Sequence, residues 1–298
     1  MIRDSWTDVL FTVCNKLFLA IVLLLVCYPL IYIISASISD PILVNQGKLW
    51  LWPQGITFEG FERVFHNKEL WVGYRNTILY TIIGTAINLL VTLPCAYALS
   101  RGDMVGRNAI MAAFVFTMFF GGGLIPTYLL IKNLGMINTV WALLIPNAAT
   151  IWNIIVCRTF FQMNIPKELQ ESAEIDGCSN TRLFVRIVLP LSAPIIAVMA
   201  LFYGVGHWNA FFNALIYLSD RTLFPLQLIL KEILVQQQVS TDMMTGGGGD
   251  LDALAVQARI AEIVKYAVIM VSTLPVIIVY PFVQRYFVKG VLIGSIKG

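Results

Sequence analysis

Four acidic side chains, Glu168, Glu171, Glu174 and Asp176, crowd one polar stretch of an otherwise apolar chain. Neighbouring carboxylates are raw material for general acid–base or hydrolytic chemistry, but that chemistry also needs a nucleophile, a base or a metal within reach. The chain offers none beside them. Its two histidines, His66 and His207, lie far off in sequence. Its five cysteines (Cys14, Cys27, Cys95, Cys157 and Cys178) have no metal-ligand spacing, suggest no disulfide framework and read as small core hydrophobes. Nor is there a phosphate-cradling loop. Gly121-Gly122-Gly123 and the run 246–249 lack a following Lys-Ser/Thr, and Gly47-Lys48 runs into Leu49. The acidic stretch therefore reads as a docking or solvated face, and the chain as non-catalytic with no bound cofactor or metal.

A second group has the chemistry of carbohydrate contact. Tyr203, His207, Trp208, Asn209, Phe212 and Asn213 combine aromatic faces with planar amides along one apolar segment. Asn209 and Asn213, four apart, are expected on one helix face. Asn153 and Asn88 are weaker members, as are Asn147 and Trp152. Polar side chains in such a segment are costly against lipid, so they should face a cavity or another subunit, lining a solute path or hydrogen-bonding a partner.

The bilayer sets the elements that position these residues. The chain is 58% hydrophobic and only 12% charged, outside the range of a soluble domain. Six segments are long and apolar enough to span a membrane, roughly 17–38, 74–100, 108–131, 139–161, 193–216 and 264–287. The expected fold is all-α and polytopic, with six transmembrane helices in one membrane domain over 17–298. The first segment exceeds a signal-peptide core, and Asp4 and Asp8 spoil a basic leader, so it reads as a retained span. The distribution of Lys and Arg puts residues 1–16, the loop 162–190 and the tail 288–298 in the cytoplasm. The loops 39–73 and 217–263 then lie outside.

In the outer loop 39–73, residues 57–65 read as a short helix capped by Thr57 against the membrane edge. The glycine run at 246–249 suggests that loop 217–263 is mobile or orders on contact. Prolines at 94, 126, 146 and 275 imply kinked or broken helices. The net charge of +3 is spread along the chain, which argues against nucleic acid. Between their flanks the spans carry no Asp, Glu, Lys or Arg, which disfavours an ion-coupled transporter. A pump built on this chain must draw its energy from another polypeptide.

The loop 162–190 has the signals of two short helices joined by a glycine. Pro166 suits a first helical position, and Glu168, Glu171 and Glu174 favour the positive end of a helix over about 166–176. Gly177 is a stop, Ser179 or Asn180 can cap the next helix, and Pro190 ends it. Glu171-Ser172-Ala173, Gly177 and Ile187-Val188-Leu189-Pro190, with Asp176 and Phe184, also resemble the EAA loop of ABC importer permeases. Ser172 stands where that motif has alanine, a small-for-small change. Trp52-Pro53 to Phe65, Trp208-Asn209-Ala210-Phe211 and the glycine-rich end from Lys289 resemble the MalG-like branch of carbohydrate permeases. The stretch from Phe120 to Pro126 resembles the subgroup for complex or uronic-acid-containing oligosaccharides.

That resemblance covers the whole chain and implies a type I ABC importer permease fold with a cytoplasmic coupling helix. The function implied is ATP-driven, binding-protein-dependent import of oligosaccharides across the inner membrane of a bacterium. ATP and Mg would sit on two copies of a separate ATPase. A second, homologous permease would complete a heterodimer, and an extracytoplasmic binding lipoprotein would deliver the sugar. Glu171 would be the polar anchor on the ATPase. Ser172, Ala173, Asp176 and Gly177 would belong to the docking surface, Ala173 and Gly177 permitting close backbone approach. Leu169, Ile175 and Phe184 would pack, either on the ATPase or within the permease. Gly290, Gly294, Ser295 and Gly298 would contact the ATPases from the tail, the alternative being a frayed terminus. The rival class is an ion-coupled secondary transporter or a membrane assembly scaffold.

Overall fold

A computed structural model of the chain describes residues 5–245, 264–281 and 284. Among them every regular element is helical. In chain order these are α1 (Trp6–Ser37), α2 (Pro41–Asn45), α3 (Glu59–His66), α4 (Lys68–Ser100), α5 (Arg107–Phe119), α6 (Leu124–Asn133) and α7 (Trp141–Leu144). There follow α8 (Ile151–Asn164), α9 (Lys167–Ile175), α10 (Asn180–Leu191), α11 (Ala193–Trp208), α12 (Phe212–Tyr217), α13 (Leu226–Thr245) and α14 (Val264–Pro281).

Helices α1, α4 and α14 are each continuous and apolar enough to cross a membrane. Helix α1 starts at Trp6, so much of the stretch expected as a cytoplasmic N-terminus is helical. The Ser5 amide donates to Asp8 at 3.2 Å in its first turn. Two further crossings are bent. Helices α5 and α6 meet at 112° across Phe120 and the three glycines, and α10 and α11 meet at 82°. The expected straight span 108–131 is therefore broken at its glycines, where Gly123 takes a φ of +87° that other residues rarely adopt.

The expected span 139–161 is not one helix either. Pro146 lies in a gap between the four-residue α7 and α8. By length and composition the described residues give three crossings, or five if each bent pair is one span, against the six expected. Hydropathy registers an apolar run whether or not its helix is continuous. The segment 217–263, expected as an outer loop, contains the 20-residue α13. The glycine run 246–249 lies outside the described residues.

The described residues fall into two compact units, one within Met1–Lys68 and Leu230–Leu274, the other within Glu69–Ile229 and Pro275–Gly298. In the first, Asp40 caps α2 by accepting from the Ile42 amide, and Ala36, Val44 and Leu49 form a small core flanked by Tyr32 and Tyr266. Phe58, not Thr57 as expected, stands at the N-cap of α3; Thr57 lies one residue ahead and accepts from the Glu59 amide at 3.3 Å, and Glu59 pairs with Arg63. In the second, α4, α8, α10 and α11 enclose an apolar cluster that includes Leu93, Tyr97, Ile154, Cys157, Phe161, Leu183 and Met199. Of the cysteines, Cys157 is a core residue while Cys14 is exposed on α1.

Polar groups of α4 hold the irregular chain that precedes α13. The buried amide of Asn76 donates to the carbonyls of Thr222 (2.7 Å) and Phe224 (3.0 Å), Tyr80 donates to that of Leu223, and Thr77 accepts from the Leu226 amide. These bonds satisfy backbone groups that no helix would serve. Replacing Asn76 with Ala strands the carbonyl of buried Phe224 and removes a bond to that of Thr222, at a cost of about 1–3 kcal/mol. Thermal unfolding in detergent should show a lowered midpoint, with a smaller loss for Tyr80→Phe, which removes one donor only.

Candidate docking face and polar cavity

Helix α9 is nine residues long and polar, and its C-terminal end is closed locally. At the C-terminus Gly177, with φ of +67°, completes a Schellman stop. The Gly177 amide donates to the Glu174 carbonyl at 3.0 Å, and the Cys178 amide donates to the Ala173 carbonyl at 2.9 Å. Ser179 is the cap of α10, accepting from the Arg182 amide. Pro166 stands at the cap position, one residue ahead of the helical position expected for it. Pro190 does not end α10. A π turn over Phe184–Val188 absorbs its missing amide, and the helix runs on to Leu191.

The two faces of α9 differ. Ala173 is 6% exposed and, with Leu169, packs into the cluster of α4, α8, α10 and α11. A larger side chain at 173 would hold the helix off that surface. Phe184 belongs to the same packing, its ring stacked on Tyr97 at 5.0 Å. Glu171, Ser172 and Asp176 are exposed, and so is Ile175 at 86%. Ile175, expected to pack on the ATPase or within the permease, is left uncovered by the described residues. It lies four residues from Glu171, so the two share the outward face of the helix.

Glu174 also departs from expectation. It stands in the last turn of α9, where the helix dipole disfavours an anion; of the three glutamates only Glu168 is in the first turn. Its partner is Arg101, just past the end of α4, at 2.8 Å. Arg101 also takes both oxygens of Asp103 (2.8 and 2.7 Å) and lies 3.4 Å from the Tyr97 hydroxyl. The bond to Asp103 is the main reason why the guanidinium pKa is driven upward, and the same bond chiefly holds the Asp103 carboxyl below the usual carboxylate range. Sequence reasoning missed Arg101 and Asp103 because their partner Glu174 is remote in the chain.

The second group of residues is only partly assembled. A cavity of about 280 Å³ is lined by Asn88, Asn147, Asn153, Tyr203, His207 and Asn213, among others. Asn88 organises it: its amide donates to the Asn147 carbonyl at 2.6 Å and its oxygen lies 2.7 Å from His207 Nε2. Tyr203 shares a hydrogen bond with Thr92 at 2.7 Å. His207 can approach α4 because residue 84 is glycine; a Cβ there would stand 2.4 Å from the ring.

Trp208, Asn209 and Phe212 do not line this cavity. Trp208 is buried edge-on to Tyr74, Asn209 turns back on the Val205 carbonyl, and Phe212 is exposed against Phe211. Asn209 and Asn213 are not on one helix face, because α11 ends at Trp208 and α12 begins at Phe212. The tail residues Gly290, Gly294, Ser295 and Gly298 lie outside the described residues.

A helical chain of broken membrane crossings, with a capped polar helix and a polar cavity, defines a polytopic membrane permease. Residues 70–293 match the family "Binding-protein-dependent transport system inner membrane component", and the chain belongs to it. It is thus the non-catalytic permease subunit of an ABC importer, which sets aside the ion-coupled and scaffold readings.

It is 42% identical over 288 residues to Protein LplC of Bacillus subtilis (strain 168), covering 97% of this chain and 95% of that one. It is 40% identical to the polygalacturonan/rhamnogalacturonan transport system permease protein YtcP of the same strain, covering 94% and 96%. A crystal structure of a bacterial ABC transporter involved in the import of the acidic polysaccharide alginate contains a chain with a TM-score of 0.84 and 35% identity, covering 96% of this chain and 100% of that one.

Two substitutions probe the local geometry. The space around Gly177 is open, so Gly177→Ala meets only backbone strain, about 1–2 kcal/mol. Hydrogen exchange at the Gly177 and Cys178 amides should quicken while protection in α8 is unchanged. Gly84→Ala forces His207 off Asn88 and should cost about 1–3 kcal/mol, read from the unfolding midpoint, as overpacking does.

Proposed function

We propose that this permease imports oligosaccharides that carry uronic acids, and that α9 is the helix through which an ATPase drives it. The observation that carries the coupling reading is the split character of α9. One face is seated in the permease core through Ala173, while the other offers Glu171 beside a bare Ile175. An exposed isoleucine next to a carboxylate, on a helix stopped at Gly177, suits a surface that another protein covers. In this reading Leu169, Ala173 and Phe184 seat the helix, and Glu171, Ser172, Ile175, Asp176 and Gly177 meet the ATPase.

The working assembly is this chain with a second, homologous permease, two ATPase subunits and an extracytoplasmic binding lipoprotein, both termini being cytoplasmic. ATP-driven closure of the ATPases turns the cavity outward as the binding protein delivers sugar, and hydrolysis resets it. Asn88, Asn153, Tyr203, His207 and Asn213 line the path. The substrate class is supported by relatives named for polygalacturonan/rhamnogalacturonan and alginate, which are acidic polysaccharides, each aligned over nearly the whole chain.

The coupling half is tested in proteoliposomes holding the complete transporter. Glu171→Lys and Gly177→Pro are each expected to cut both transport and binding-protein-stimulated ATP hydrolysis at least about tenfold, a loss of ~1.4 kcal/mol. Survival of both activities in both variants would sink the docking role. The substrate half is read on the binding protein by calorimetry with uronate and neutral oligosaccharides of equal length. Tighter binding of the neutral set would overturn it.

A further inference from the structure

Chain connectivity ties α9 only to its neighbours α8 and α10. We propose that Arg101 is a positioning residue that fastens α9 to the cytoplasmic end of α4, so that displacement of α9 is delivered to α4 and thence to the polar cavity. The inference rests on reading α9 as the ATPase-docking helix.

The geometry of the fastening is specific. The Arg101 side chain is 9% exposed, and its guanidinium reaches Glu174 of α9 through Nη2 and Asp103 through Nε and Nη2. The two-pronged bond to Asp103 fixes the plane of the guanidinium, which aims Nη2 at Glu174. The backbone around it is held as well. Arg107 donates to the Arg101 carbonyl at 2.9 Å, and Arg158 donates to the Leu99 carbonyl at 3.0 Å, so cations serve the C-terminal carbonyls of α4. Tyr97, one turn back, presents its hydroxyl to Arg101 and its ring to Phe184.

Glu174 is the complementary half. An anion in the last turn of a helix opposes the dipole, and it stands beside the one near-buried cation at the end of α4. Helix α4 in turn carries Asn88, which holds His207 of α11 and the Asn147 carbonyl at the cavity. Both carboxylates are more than half exposed, so the pair contributes little to stability. Its effect is on where α9 is held.

The test uses the complete transporter in proteoliposomes and reads sugar transported per ATP hydrolysed, a ratio that a loss of stability alone does not move. Couplings between sites commonly correspond to about 5–150-fold. Arg101→Gln and Glu174→Gln are each expected to lower the ratio about fivefold, and the double variant no further, the signature of one shared interaction. Because Arg101→Gln also empties a near-buried site, the decision rests on Glu174→Gln, at a half-exposed position. A wild-type ratio in Glu174→Gln, or losses that multiply in the double variant, overturns the proposal. Glu171→Lys runs alongside. If it breaks coupling while Glu174→Gln does not, the Arg101 role alone fails; if neither does, the docking reading fails with it.

Discussion

The short polar helix α9 depends on the seating of Ala173. A nine-residue polar helix is too short to persist alone in water, where isolated helices below about 12–15 residues are marginal. Helix α9 therefore exists because a methyl group at 173 lets its backbone lie directly on the apolar cluster of α4, α8, α10 and α11, with Leu169 beside it. The Schellman stop at Gly177 and the Ser179 cap then serve backbone groups that would otherwise be orphaned between two helices. The outer face is left free of structural duty, so Glu171 and Ile175 are available for other work.

Within the apolar part of the chain, several polar side chains hold broken backbone. Asn76, Thr77 and Tyr80 serve the residues before α13, Asn88 serves the gap that contains Pro146, and Tyr203 lies by the Thr150 amide at the start of α8. Non-helical backbone at membrane depth is tolerated only where protein or a cavity supplies its hydrogen bonds. Much of what looks like a solute-binding amide in the sequence is thus already committed. Asn88 both lines the cavity and closes a helix break.

What was legible in the sequence follows from range. The stop at Gly177 and the cap at Ser179 are local, since the signal and the structure it makes lie within a few residues. The apolar segments were legible as membrane material, and the loop at 166–190 as two short helices joined at a glycine, because residue types and spacing carry both. The breaks were not. Three glycines can be tolerated or can fold a helix back by 112°, and only packing decides which. The side on which Ala173, Ile175 and Glu174 fall was hidden too. It depends on Arg101, Tyr97 and Phe184, which are remote from α9 in sequence or reach it only through the fold. Helix α13 was read as loop because its own glycine-rich continuation dominated the composition of the segment.

Helix α4 has a mechanical property that its hydrogen bonds do not express. At 1.5 Å per residue its 33 residues make a rod about 50 Å long, some 20 Å more than the hydrocarbon thickness of a bilayer. Asn76, Thr77 and Tyr80 in its first half hold the chain before α13, and Arg101 follows its last residue. Stiffness along the rod is uneven. Pro94 leaves the Leu90 carbonyl without its amide partner, so the softest turn falls between Asn88 and Arg101. Bending of α4 is therefore easiest between Asn88 and Arg101, whereas the length from Lys68 to Asn88 contains no proline.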